Sequence, residues 1–155
     1  MPNIFQEDFR DFLSALNNKE VKYIMVGGLA VIHYGHPRVT GDMDIWVERK
    51  EENYKKLVNA FREFKMPLFD MTLDKFLNAA ENDVFTFGRN PVAIDIMTEV
   101  KGLDFDQTYS ASKVIIDNGL SIRIIHFNDL IVTKRASGPL KDLDDIYQLK
   151  KRKKK

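Results

Sequence analysis

A short apolar run, Tyr23 to Val26, breaks at Gly27-Gly28 into a helix-like segment, and the chain then returns as DMDIWV. This pattern constrains the fold more than any other stretch. The glycine pair marks a tight strand-to-helix junction, and the first amides of such a helix lack partners and can face an anion. In the second run, Asp42 and Asp44 stand two residues apart. On a strand they share one face, while Met43, Ile45 and Val47 point to the other and can bury it. One strand therefore offers an apolar side to a core and two carboxylates to whatever lies opposite. Together the two halves suggest a site for a metal and a phosphate.

At 155 residues and 18.0 kDa the chain is long enough for one domain with a sizeable core. Its hydrophobic share of 44% and charged share of 30% fit a soluble globular protein, and a cytoplasmic location is expected. No apolar run approaches the roughly 20 residues that span a bilayer, and the N-terminus lacks a basic region followed by an apolar one. Cysteine is absent, which excludes disulfides and thiol catalysis. The net charge of +1 gives no general argument for nucleic acid. The basic run Lys150 to Lys155 can attract a phosphate backbone or an acidic partner, or be a solvated tail, so the expected division is a domain over 1–149 and a basic tail over 150–155.

Periodicity predicts an N-terminal helix over 4–17 with Phe5, Phe9, Phe12 and Leu16 inward, strands over 22–26 and 42–48, and helices over 28–35 and 51–64. A short helix is expected over 73–80. The Gly88-Arg89-Asn90-Pro91 turn predicts a hairpin of 84–88 and 92–97, and Asp117-Asn118-Gly119 predicts another of 114–116 and 121–125. A short helix is expected over 104–110. Asn128 is placed to cap a helix to about Arg135, and a last helix follows Pro139. Helices mixed with hairpins argue for an α+β domain, a mixed sheet flanked by helices, over an alternating parallel one.

A two-metal phosphoryl-transfer site usually takes three carboxylates, and Asp95 is the candidate third. It interrupts the apolar strand VAIDIM, where an unpaired charge is costly and calls for a cation, a hydrogen-bond network or solvent. The alternative is an edge position or a partner such as Arg89 or Arg123. His33, His36 and His126 show no metal-ligand spacing, and Trp46 reads as core. Asp-x-Asp also occurs in glycosyltransferases that bind nucleotide sugars through a metal, but these usually need a larger domain.

Gly27-Gly28, a helix with Ala30, then Gly35, Arg38, Thr40 and Asp42-x-Asp44 resemble the nucleotidyltransferase superfamily of the DNA polymerase beta type. The similarity is closer to its small bacterial branch, with the lincosamide-type antibiotic nucleotidyltransferases and the toxins of abortive-infection systems. Asp95, Lys134 and the ending Lys141-Asp142-x-x-Asp145-Ile146 fit that branch, so the resemblance covers about residues 20–149. It implies a mixed sheet with C-terminal helices, two Mg²⁺, and a nucleoside triphosphate such as ATP as substrate. By matching position, Asp42 and Asp44 ligate metal, and Asp95 completes the metal site and helps deprotonate the attacking hydroxyl. Gly27 and Gly28 let the backbone approach the triphosphate; Gly28 replaces the serine of many members, leaving the amides to do the holding. Arg38 and Lys134 are implied triphosphate partners, and Thr40 positions the loop or a carboxylate. The acceptor is open among a small molecule, an RNA end and a protein hydroxyl, and a partner chain or homodimer can contribute to its binding. The rival reading keeps the fold without catalysis, as an antitoxin-like or regulatory partner-binding module.

Overall fold

A computed structural model of the chain describes residues 7–35, 41–80, 83–89 and 92–137. The N-terminal phenylalanine spacing forms α1 (Glu7–Asn18), which buries Phe9, Phe12, Leu13, Ala15 and Leu16. Phe5 lies outside the described residues. The YIMV run is β1 (Tyr23–Val26), and Gly27 opens α2 (Gly27–His33) directly, with no connecting loop. Then follow β2 (Asp42–Val47), α3 (Glu51–Phe64), α4 (Leu73–Leu77) and the hairpin of β3 (Phe85–Arg89) and β4 (Val92–Met97). After α5 (Phe105–Ala111) come a second hairpin, β5 (Lys113–Asp117) and β6 (Leu120–Ile124), and α6 (Phe127–Ser137).

All these strands join one six-stranded mixed sheet in the order β3-β4-β2-β1-β6-β5. β2 runs parallel to β4 and antiparallel to β1, and β1 runs parallel to β6. The architecture is the expected α+β class. On one face, Met43, Ile45, Ile94 and Ile96 are buried beneath aromatic rings. Phe61 of α3 meets Phe87 of β3 edge to face at 4.7 Å, and Phe12 of α1 meets Phe61 at 5.5 Å. The opposite face carries Asp42, Asp44 and Trp46, and Trp46 is buried as core against Phe105 of α5 at 5.2 Å.

Asn53 anchors α3 to the residues that flank β1 and β2. Its side chain accepts from the Lys22 amide at 2.8 Å and donates to the carbonyls of Lys22 at 3.1 Å and Glu48 at 3.0 Å. A buried amide is tolerated there because these bonds satisfy it.

Two expectations are corrected. The helix expected over 73–80 ends at Leu77, where the Asn78 side chain donates to the Asp74 carbonyl at 2.8 Å. Asn128 lies inside α6 and does not cap it. The cap is His126: its Nδ1 accepts from the Asn128 amide at 3.0 Å, and its carbonyl accepts from the Leu130 amide at 3.0 Å. An unprotonated imidazole nitrogen offers the same kind of acceptor as an asparagine oxygen, here two positions earlier. The final helix and the basic tail lie outside the described residues. Among the described residues no helix is long and apolar enough to cross a membrane.

Candidate active site

The register between β2 and β4 sets the carboxylates. Asp44 stands opposite Asp95, and Asp42 stands opposite Ala93. Parallel partners share a face, so all three acids stand on the side that carries Trp46. β4 lies between β3 and β2, so Asp95 is not at a sheet edge. Nor is it paired with Arg123, whose guanidinium stacks on the Tyr109 ring at 4.3 Å and donates to Ser112 Oγ at 3.0 Å.

Burial raises the Asp44 pKa to about 7, the neighbouring Asp95 charge adds to this, and so do a side-chain hydrogen bond with Asp95 and the charge of Asp42. Lys134 of α6 acts in the opposite sense, its positive charge favouring ionised Asp44. The structure therefore brings Asp42, Asp95 and Lys134 within electrostatic reach of Asp44, the four residues coming from three separate elements.

Gly27 has a role that sequence reasoning did not identify. A Cβ at this position would lie 1.9 Å from Asp44 Oδ2 and 2.7 Å from its carboxyl carbon, so the Asp44 carboxylate occupies the space a side chain would need. Gly27 also adopts φ +69°, a conformation costly for other residues. Its neighbour Val26 pairs with Asp44 across the strands, which brings the glycine against the acid. Gly28 is buried in the first turn of α2. Arg38 and Thr40 lie outside the described residues, as do Lys141, Asp142 and Asp145.

Sequence reasoning also missed Thr86, whose hydroxyl donates to Asp95 Oδ1 at 2.8 Å. The signal was present. Counting back from a turn flanked by Arg89 and Val92 puts Thr86 opposite Asp95, which is the observed register.

Among the described residues, no three His, Asp or Glu side chains close around a single metal position. The Asp44–Asp95 pair nevertheless fits a hard divalent cation. Mg²⁺ is commonly held by one or two carboxylates, with phosphate oxygens and water completing its shell. Two adjacent carboxylates, one with its pKa raised toward neutrality, make a donor set that a cation would stabilise.

A family described as nucleotidyltransferase of unknown function, DUF6036, matches residues 6–152. The chain belongs to this nucleotidyltransferase family. No curated protein matches it by sequence. Solved nucleotidyltransferase structures share its fold. The lincosamide antibiotic adenylyltransferase LnuA, in a lincomycin-bound structure, is 15% identical with a TM-score of 0.59, covering 96% of this chain and 98% of that one. The antibiotic-resistance factor ANT(2'')-Ia is 13% identical with a TM-score of 0.61, covering 92% of this chain and 80% of that one. A candidate nucleotidyltransferase from Thermotoga maritima is 17% identical with a TM-score of 0.56, covering 92% and 88%. At these identities the likeness shows the nucleotidyltransferase fold, and the site must be argued from this chain's own residues.

Proposed function

We propose that this family member is a Mg²⁺-dependent nucleotidyltransferase that moves a nucleoside monophosphate from a triphosphate to an acceptor hydroxyl. The observation that carries the reading is the pairing of Asp44 with Asp95 on adjacent parallel strands, with Asp42 on the same face. The acceptor oxygen attacks the α-phosphorus in line, a new P–O bond forms, the bond to the bridging oxygen breaks, and pyrophosphate leaves. The hydroxyl proton passes to Asp95, which Thr86 holds in place through Oδ1. Asp42 and Asp44 hold the cations that accompany the triphosphate, and Mg²⁺, when bound, supplies charge stabilisation to the attacking and leaving oxygens. Lys134 gives the triphosphate a positive partner, and the backbone around Gly27 and Gly28 lies beside it. Arg38 and Thr40 complete the phosphate contacts in this reading. The acceptor is defined by chemical class alone, as a hydroxyl on a small molecule, an RNA end or a protein.

Calorimetric titration of ATP, GTP, CTP and UTP, each with Mg²⁺, into the wild type and Asp44→Asn tests this without knowledge of the acceptor. The expected result is Mg²⁺-dependent binding of at least one triphosphate, lost in the variant. Absence of binding by all four would sink the proposal and favour a non-catalytic, partner-binding role.

A further inference from the structure

We propose that β5 is a self-complementary edge through which two copies of this chain pair, joining their sheets into one. β5 ends the sheet, so one side of its backbone has no strand beside it among the described residues. The turn to β6 is Asn118-Gly119, with φ values of +46° and +83°, flanked by the pair Asp117↔Leu120. In such a two-residue hairpin the flanking pair is hydrogen-bonded. Lys113, Ile115 and Asp117 therefore direct their N–H and C=O groups toward β6, and Val114 and Ile116 direct theirs to the open edge.

An open edge is ordinarily protected by a charge, a proline or a bulge. β5, KVIID, has neither proline nor bulge, and it exposes two large apolar side chains, Val114 at 48% and Ile116 at 66%. Its charges stand at opposite ends with opposite signs, Lys113 and Asp117. An antiparallel pairing centred on Ile115 sets Val114 against Ile116 of the second copy, and the reverse by symmetry. Those are the residues whose backbone groups face outward, so they exchange N–H···O=C bonds. The same register sets Lys113 against Asp117 of the second copy, an opposite-charge cross-strand pair. Any other centre breaks both matches: it sets a charge against an apolar side chain or turns the free backbone groups out of phase.

The Asp117 end is already tied to α1. Arg10 donates to Asp117 Oδ2 at 2.7 Å, to the Asp117 carbonyl at 3.0 Å and to the Asn118 carbonyl at 3.2 Å. Oδ1 is not used by these bonds and can receive the lysine. An edge held in its paired conformation loses little entropy when it docks. A closed two-fold arrangement also consumes the edge in both copies and stops at two.

Sedimentation equilibrium on the full chain tests the pairing, with disulfide trapping to test the register. The wild type is expected to reach a dimer by about 100 µM. Ile116→Glu, at an exposed site, is expected to weaken it about 100-fold. Ile115→Cys is expected to form an intermolecular disulfide on oxidation, because self-facing residues in a non-hydrogen-bonded pair have Cα atoms about 4.5 Å apart. The natural chain has no cysteine, so the new thiols have only each other. Val114→Cys, which faces residue 116 of the second copy, is expected to stay unlinked. A wild type that remains monomeric throughout overturns the proposal, as does a dimer indifferent to Ile116→Glu. A dimer in which Ile115→Cys fails to link, or Val114→Cys links equally, overturns the register and the proposal with it.

Discussion

Asp44 and Glu48 are two acids at opposite ends of the same stretch of chain, and their surroundings differ. Glu48, 8% exposed, has Lys22 Nζ at 3.8 Å and Lys50 Nζ at 3.5 Å from its carboxylate. Asp44 faces Asp95, with Asp42 adding a further negative charge. The first arrangement neutralises an acid that packing has drawn in. The second gathers like charges around Asp44, with Lys134 opposing them, and that crowding is what a bound cation would relieve. A buried carboxylate is therefore not in itself a functional signal; the sign of its neighbours separates a structural acid from a candidate ligand.

The contrast is tested most strongly by neutralising each acid in turn. Asp44→Asn is expected to lower nucleotidyl transfer by about 10³-fold or more, the scale of lost charge stabilisation at a metal site, with the fold retained by circular dichroism. Glu48→Gln is expected to leave transfer within about threefold and to cost on the order of 1 kcal/mol in denaturant unfolding. Equal losses of activity in both variants would erase the distinction.

Gly27→Ala follows in size. The new methyl would collide with the Asp44 carboxylate, and the φ of +69° adds strain on the order of 1–3 kcal/mol. Displacing Asp44 is expected to cost about 10²-fold in transfer. Adding Asp44→Gly to Gly27→Ala should restore the stability lost to the collision but not the activity. A double variant no more stable than Gly27→Ala would show that the contact with Asp44 is not what requires the glycine.

The pH dependence of stability should separate the two acids more gently. Asp44 has a pKa of about 7 against an ordinary 3.8, so between these values the folded state binds the proton and the unfolded state does not. Its contribution to stability is full below about pH 4 and is lost as pH rises to about 7, on the order of 4 kcal/mol. Thermal melts without metal should therefore show the wild type losing stability from pH 5 to 8, and Asp44→Asn losing less. Mg²⁺ should raise the wild-type midpoint more at pH 8 than at pH 5. Parallel slopes in the two proteins would assign the pH dependence to other groups.

The smallest effect expected is at Thr86. Thr86→Val removes the hydroxyl bonded to Asp95 Oδ1, and a several-fold fall in transfer with about 1 kcal/mol of destabilisation is expected. No change in the pH–rate profile or in kcat would reduce Thr86 to a surface strand residue.

Much of this protein was determined by local sequence. The strand–glycine–helix junction, the alternation of DMDIWV and the hairpin at Asp117-Asn118-Gly119 are written in neighbouring residues, because side-chain period and turn chemistry act over a few positions. The helix over 51–64 was legible to its ends for the same reason, and its C-terminal Lys65 takes a left-handed φ of +62°. The cap of α6 was misread by composition: asparagine is the commoner cap, while His126 had the better-placed acceptor.

Tertiary structure alone decided which acids meet. Asp44 and Asp95 lie far apart in sequence, and nothing local requires β4 to lie beside β2, parallel and in that register. A shift of one residue would turn the carboxylate to the other face. The role of Gly27 was equally hidden, since a glycine at a junction reads as a turn until the strand opposite brings a carboxylate against it. Local sequence determines the elements because its forces are short-ranged; the site depends on non-local pairing, which exists only once the sheet has assembled.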